Sequence, residues 1–238
     1  MTAPAVPPQL PLALRYPPDQ RLETFHAGDG ALVAQLRAFA THASGERTLL
    51  LVGPAGTGKT HLALAVCAEA DAAGARAGYL PLASAAGRMA DALESMHALD
   101  LVALDGIESV AGDRDDEVAL FHFHNRMHDA GRRVLYAARA TPDALPLRLP
   151  DLRSRLAQCT RLPLERLDDA GRGQVLRLRA QRRGLQVDDA AIDWLLRHAG
   201  RELSGLAALL DRLDRASLAA QRRITVPFLR KVLEAGQD

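Results

Sequence analysis

Short apolar runs alternate along the chain with longer segments in which apolar residues recur every three or four positions. Runs rich in Leu, Val and Ala are typical of strands that a parallel sheet buries on both faces. They cover residues 48–52, 77–82, 99–104, 133–138 and 158–162. Their alternation with helical segments predicts an α/β fold built on a parallel five-stranded sheet.

Helical spacing predicts helices on either side of these strands and throughout the last third of the chain. The helices predicted within the α/β region cover residues 31–40, 61–70, 84–97, 115–130 and 151–156. Beyond residue 166 only helices are predicted, over residues 168–183, 188–198, 202–221 and 225–234. We therefore expect an α/β domain over 21–165 and a small all-helical domain over 166–238.

The first 20 residues are rich in proline, which keeps a segment extended and out of helices, so we expect a flexible tail over 1–20. Within it, Leu10, Leu12 and Leu14 alternate with other residues and follow Gln9. One interpretation is a strap that packs on its own domain. The other is a docking peptide that offers three leucines and a polar anchor to pockets of a partner.

The segment between the first predicted strand and the next helix fits the pattern G-x-x-x-x-G-K-[ST] of a phosphate-binding loop. Glycines let backbone N–H groups turn toward phosphate oxygens, and the helix N-terminus adds its positive dipole end. In such a loop Lys59 reaches the β and γ phosphates and Thr60 holds Mg²⁺, so we predict that ATP or ADP binds with Mg²⁺. The predicted nucleotide-binding residues here are Gly53, Pro54, Ala55, Gly56, Thr57, Gly58, Lys59, Thr60 and His61.

Asp105 ends the third predicted strand, where a carboxylate can orient Mg²⁺ beside a phosphate loop. A hydrolysing protein of this class usually carries a second carboxylate directly afterwards, but this chain has Gly106. Glu108 lies two residues further on and is expected to point elsewhere. At the end of the fourth strand, Arg139 is the candidate for sensing a γ phosphate. Gly106 in place of a carboxylate, and Arg139 as the candidate sensor, predict weak or absent hydrolysis by the chain's own site.

Composition and charge exclude several other classes. The net charge of +1 gives no overall field that would attract nucleic acid or membrane. No apolar run approaches the roughly 18 residues that a membrane span needs, and the N-terminus lacks the features of a signal peptide. With two cysteines in predicted core elements, a reducing cytoplasm fits better than a disulfide framework.

Three further features leave a choice between a plain and a functional interpretation. His122, His124 and His128 share one predicted helix, but no Glu or Cys completes a ligand set, so we expect a solvated helix face there. Phe25 precedes a glycine-rich break and either lines an adenine pocket or staples the following helix. Arg153 and Arg155 are either salt-bridge partners or a finger that reaches a neighbour's phosphate.

Several of these segments together resemble the DnaA/Hda family of bacterial replication initiators and their regulators, which are AAA+ proteins. The resemblance rests on four stretches, Gln9–Leu14, Gly58–Leu62, Leu149–Leu156 and Arg201–Leu203. It implies an AAA+ phosphate-loop module with a helical lid, an arginine finger at Arg155, and Arg201 placed over the nucleotide phosphates. It also implies that the tail binds the DNA polymerase sliding clamp, and that the chain ends where the initiators' DNA-binding domain would begin.

The resemblance leads to one main hypothesis for function. We expect a cytoplasmic protein, brought to the nucleoid by the clamp, that stimulates hydrolysis of DnaA-bound ATP in trans and so prevents re-initiation. It would contact DNA mainly indirectly and could form homo-oligomers. The alternative is an autonomous ATPase that acts as a helicase loader, or a DnaA-like DNA-binding protein.

Overall fold

The computed structural model describes residues 16, 20–26, 30–198 and 223–234. The chain divides into two compact units. Met1–Gly53 and Lys59–Leu164 belong to the first, and Pro54–Gly58 and Glu165–Asp238 belong to the second. Within the described residues, the first unit contains the whole sheet, and the second is built mainly from helices.

The sheet has five parallel strands, as the apolar runs predict. They are β1 Thr48–Val52, β2 Ala77–Pro81, β3 Leu101–Asp105, β4 Arg133–Ala138 and β5 Thr160–Pro163. Their order across the sheet is β2-β3-β4-β1-β5, so the strand before the phosphate loop lies between β4 and β5. Parallel neighbours need crossover connections, and helices supply them.

Helices pack on both faces of this sheet, and alternate strand residues point to opposite faces. The helices of this unit are α1 Ala31–Ala40, α2 Lys59–Ala72, α3 Met89–Glu94, α4 Arg114–Asp129 and α5 Pro150–Gln158. On one face of the sheet, Leu50, Val102 and Tyr136 join a core completed by α3, α4 and α5. On the other face, Leu49 and Leu135 join a core completed by α1 and α2.

The helix predicted over 84–97 is shorter than expected. Leu82–Ala85 forms a single 3-10 turn, and the α-helix begins only at Met89. Gly87 lies between them with a φ angle of 74°, a left-handed conformation that ends a helix and that glycine adopts at little cost. Asp116 on α4 accepts a hydrogen bond from the Gly87 N–H at 2.8 Å, which holds this break in place.

His122 and His128 are exposed, as expected for a solvated helix face, but His124 is not. It is 5% exposed, and its Nδ1 lies 2.9 Å from the hydroxyl of Tyr136 on β4. Burial, and then the charges of Arg155 and His128, lower the pKa of His124 to about 4. No group of three His, Cys, Asp or Glu residues suited to a metal ion occurs in the part of the chain that the structure describes.

The buried His124 should make stability fall at acid pH. Its pKa drops from 6.5 to about 4 on folding, so the unfolded chain takes up the proton first as the pH is lowered. The contribution of His124 to stability is fully present above pH 6.5 and decreases as the pH falls toward 4. At pH 5 this decrease lowers the free energy of unfolding by about 2 kcal/mol. Urea unfolding at pH 7.5 and pH 5 measures this difference in the free energy of unfolding.

Two histidine variants isolate this contribution. We expect His124→Gln to remove most of the pH-dependent difference, whereas His128→Gln, an exposed position on the same helix, should keep it. If wild type and His124→Gln lose equal free energy of unfolding between the two pH values, His124 is not the acid-sensitive group.

The second unit is a small helical bundle in the residues described. Its helices are α6 Asp169–Arg182, α7 Asp189–His198 and α8 Val226–Glu234. Asp168 caps α6 by accepting a hydrogen bond from the Gly171 N–H at 2.7 Å. Val187 and Ile224 form one parallel bridge. The predicted helix over 202–221 lies outside the described residues. None of the described helices has the length and apolar character needed to cross a membrane.

Candidate functional site

The loop between β1 and α2 turns at two glycines. Gly56 and Gly58 have φ angles of 79° and 93°, in the left-handed region that residues with a Cβ rarely adopt. Between them, the Thr57 hydroxyl donates to the Pro54 carbonyl at 3.0 Å. The first N–H groups of α2, which begins at Lys59, have no acceptor within the helix itself. This geometry suits an anion held by backbone amides.

Lys59 lies at the start of α2 and is 8% exposed. Its Nζ donates to the carbonyl of Gly53, the first residue of the loop, at 2.5 Å. Desolvation lowers the pKa of Lys59, and the charges of Glu108 and Asp105 oppose this shift. A partly desolvated ammonium group beside a glycine-rich loop attracts an anion more strongly than one in water does.

Asp105, at the end of β3, accepts two hydrogen bonds on the same oxygen. The Thr60 hydroxyl donates to Oδ2 at 2.5 Å, and the Tyr79 hydroxyl donates to it at 3.0 Å. A carboxylate and a hydroxyl are hard oxygen groups of the kind that Mg²⁺ uses directly or through water. The residues present therefore fit a magnesium ion held beside the loop.

Sequence reasoning missed Tyr79. It lies on β2, which pairs with β3, so its hydroxyl reaches the carboxylate at the end of the neighbouring strand. Burial, and then the charge of Asp105, raise the pKa of Tyr79, so this phenol stays protonated and acts as a donor. The strand order that brings the two together cannot be obtained from apolar runs.

Glu108 does not point away from the site. Its carboxylate binds Arg139, which follows the last residue of β4, through the guanidinium Nε at 2.9 Å and the backbone N–H at 3.1 Å. Ala138, just before it, accepts a hydrogen bond from the Gly53 N–H at 3.1 Å. The ion pair therefore lies directly beside the start of the phosphate loop, where its carboxylate is engaged by an arginine.

The side chain of His61 contacts the N-terminal segment. Its Nε2 lies 3.0 Å from the Arg21 carbonyl and 3.1 Å from the Thr24 hydroxyl, and its ring packs on Phe25 with centroids 5.6 Å apart. The ring contact of Phe25 is with α2 and not with the following helix α1, so both interpretations of Phe25 stay predictions from the sequence. Because the His61 side chain is engaged with the N-terminal segment, the group of His61 that can bind a phosphate is its backbone N–H, in the first turn of α2.

The two arginines of α5 have different surroundings. The Arg153 guanidinium donates to the carbonyl of Leu147, in the loop that precedes the helix. Arg155 is half-buried, and its guanidinium makes no hydrogen bond or ion pair to any residue the structure describes. Its charge is near enough to His124 to lower that pKa. Arg153 therefore has a structural role, whereas the Arg155 guanidinium is uncommitted: it has no hydrogen-bond or ion-pair partner among the described residues.

Five predicted site residues lie outside the part of the chain that the structure describes. They are the tail residues Gln9, Leu10, Leu12 and Leu14, together with Arg201. Their predicted roles stay predictions from the sequence.

Two family models together cover most of the chain. Residues 18–162 match the model of the bacterial DnaA ATPase domain. The chain belongs to the DnaA-related family. Residues 169–233 match the lid domain of Hda, which adds a second link within this family.

Solved structures of DnaA-family and other AAA+ proteins share the fold. Domain III of Thermotoga maritima DnaA matches with a TM-score of 0.79 and 19% identity, over 95% of this chain and 98% of that one. AMPPCP-bound DnaA from Aquifex aeolicus matches with a TM-score of 0.66 and 25% identity, over 82% of this chain and 66% of that one. The Thermotoga maritima RuvB branch migration motor matches with a TM-score of 0.66 and 18% identity, over 91% and 72%. The predicted AAA+ fold is confirmed.

Proposed function

We propose that this chain is a nucleotide-binding regulator of replication initiation, which stimulates hydrolysis of DnaA-bound ATP by supplying Arg155 in trans. The observation that carries the proposal is the uncommitted, half-buried guanidinium of Arg155 on α5, beside an Arg153 engaged within its own fold. An arginine that reaches a neighbour's phosphates stabilises the charge that develops during phosphoryl transfer. Such a group has to be free of partners in its own chain.

The chain's own site would hold ADP or ATP. The amides of the loop and Lys59 would bind the phosphates, and Thr60 with Asp105 would hold Mg²⁺, which neutralises phosphate charge when bound. The Aquifex aeolicus relative, with its bound AMPPCP, supports this assignment. From the helical unit, Arg201 would contribute a second cation to the phosphates.

Hydrolysis in this site would be weak, so the nucleotide acts mainly as a structural ligand. Gly106 has no side chain with which to polarise water. The carboxylate of Glu108, the nearest substitute, is engaged by Arg139 at 2.9 Å and would have to leave this partner to act as a base. These contacts favour the regulator over an autonomous ATPase.

The proposed tether is the N-terminal tail. Gln9, Leu10, Leu12 and Leu14 would dock in pockets of the sliding clamp, so that the regulator meets DnaA only where the clamp is loaded on DNA. Tethering raises the effective concentration of the weakly binding partner without any new contact between the two proteins.

The proposal is tested by adding the chain to DnaA loaded with labelled ATP, with and without clamp on DNA. We expect hydrolysis to be stimulated only when the clamp is present. Replacing Gln9 and Leu10 by Ala should abolish clamp retention and stimulation while leaving nucleotide affinity unchanged. Val6→Ala, in the same tail, should behave as wild type.

Two results would contradict the regulator. Equal clamp retention by the tail variant and wild type would remove the tether. A turnover of about 1 s⁻¹ or more by the chain alone would instead support an autonomous ATPase.

A further inference from the structure

Glu117, in the first turn of α4, is a fully buried carboxylate that the phosphate site does not use. It is 0% exposed, although it carries a charge that is strongly disfavoured in a protein interior unless hydrogen bonds replace its water. Such a group is retained only where several donors converge on it. Those donors here come from the backbone of two separate loops.

Both oxygens of Glu117 accept hydrogen bonds from backbone N–H groups. Oε1 accepts from Gly112 at 2.7 Å and from Arg148 at 3.0 Å. Oε2 accepts from Arg148 at 2.9 Å and from Leu149 at 2.6 Å. Gly112 lies just before α4, whereas Arg148 and Leu149 immediately precede α5. One carboxylate therefore connects the entrances of α4 and α5, that is, the backbone residues just before the first turn of each helix.

For α5 this carboxylate fixes the two residues that lead into the helix. The helix starts at Pro150, its capping position is Leu149, and no side chain at that position bonds to the first turn. Most helices satisfy their first N–H groups with a Ser, Thr, Asp or Asn side chain. Glu117 instead binds the N–H groups of Arg148 and Leu149, just before the first turn, and its negative charge lies near the positive end of the helix dipole.

Two other contacts complete the fixing of α5. The Arg153 guanidinium holds the Leu147 carbonyl, so the same entrance is bound by an anion at its amides and by a cation at a carbonyl. Leu152 and Leu156 are both 0% exposed and fix the rotation of the helix against the core. Arg155, next to Leu156, projects from this fixed helix with an uncommitted head group.

We propose that Glu117 is a positioning residue for Arg155. By hydrogen bonding to the backbone just before α5, it fixes the position of this helix and therefore of the Arg155 guanidinium. This inference rests on the proposed function. A group that stabilises charge in a partner's site has to be placed within a fraction of an ångström, and an error of about 1 Å can reduce the rate about 100-fold. Glu117 acts through the backbone and does not itself touch nucleotide.

The neighbouring residue provides a matched control. Asp116 is also a carboxylate, is 4% exposed, and accepts hydrogen bonds from the N–H groups of Gly87 at 2.8 Å and Met89 at 3.3 Å. It therefore holds the entrance of α3 and not that of α5. Asp116→Asn and Glu117→Gln make the same chemical change at adjacent buried positions, but only Glu117 hydrogen bonds to the backbone just before α5, the helix that carries Arg155.

The experiment compares wild type, Glu117→Gln, Asp116→Asn and Arg155→Ala in clamp-dependent hydrolysis of DnaA-bound ATP. In Glu117→Gln an amide NH₂ replaces one acceptor and faces a backbone N–H. We expect the maximal stimulated rate to fall about 10- to 100-fold, with the half-saturating concentration and nucleotide affinity unchanged. Amide hydrogen exchange should rise in peptides covering 147–150 for this variant, whereas Asp116→Asn should keep wild-type stimulation.

Each outcome decides between the proposals. If wild type does not stimulate hydrolysis, the proposed function fails, and the positioning role fails with it. If wild type stimulates, but Glu117→Gln does so equally or Asp116→Asn falls to the same extent, positioning alone is overturned. Should Glu117→Gln not fold, Arg153→Gln removes the other anchor of the same entrance and should show the same loss of rate at unchanged half-saturation.

Discussion

Replacing Arg155 by Ala should lower the stimulated rate of DnaA-bound ATP hydrolysis by about 1,000-fold or more, the range expected for loss of an arginine finger. The reason is electrostatic, because the guanidinium would meet charge that develops on the transferred phosphoryl group. The change should leave the folded structure intact, since the Arg155 head group makes no hydrogen bond within the described residues. Single-turnover hydrolysis of labelled DnaA-bound ATP with clamp on DNA measures the effect.

Two further variants control this result. Arg155→Lys keeps the charge but loses the planar fork of donors, so we expect an intermediate rate. Arg148→Ala removes an equal charge from an exposed side chain just before α5, while its backbone N–H still bonds to Glu117. Stimulation by Arg148→Ala should stay within about twofold of wild type, a change too small to matter beside that of a lost finger. Full stimulation by Arg155→Ala would show that the finger lies elsewhere.

Lys59→Met should weaken binding of ADP and ATP by about 100-fold or more. Hydrogen bonds to charged groups contribute about 1.5–3 kcal/mol each, and a phosphate would meet more than one Nζ donor contact. Lys59 is 8% exposed, so water screens it little. Methionine keeps the length and apolar stem of the side chain, which limits the change to the charge. Calorimetric titration with Mg-ADP measures the loss.

The chain offers a natural control, because its only other lysine is Lys231. That residue lies on α8 in the helical unit and is exposed. Lys231→Met makes the same chemical change and should leave nucleotide affinity as in wild type. Equal affinity of Lys59→Met and wild type for both nucleotides would mean that the loop does not cradle phosphate.

The sheet and the loop could be predicted because their determinants are local. β1 and β4 match the predicted ranges residue for residue, since a strand buried on both faces is a continuous apolar run with polar or glycine residues at its ends. The loop follows from glycine positions that require unusual φ angles. Helix α5 begins at Pro150, one residue before the predicted start, which reflects the preference of proline for a first helical position.

Pairings between distant segments could not be predicted from one sequence. The contacts of Tyr79 with Asp105 and of Glu108 with Arg139 depend on β3 lying between β2 and β4. Helical periodicity placed His124 on α4 but could not show that Tyr136 lies opposite it. A buried carboxylate such as Glu117 has no pattern of its own, because its partners are backbone amides, which every residue except proline supplies.

The adjacent anchors on α4 limit how the length of this region can change. Asp116 and Glu117 point to the entrances of α3 and α5, and successive residues of an α-helix are about 100° apart around its axis. Inserting or deleting one residue between them and the buried Leu120, which fixes the rotation of α4 against the core, would rotate both carboxylates away from their loops at once. Substitutions at the exposed Arg114 and Asp115 should therefore be tolerated, whereas a change of even one residue in length at this turn should not.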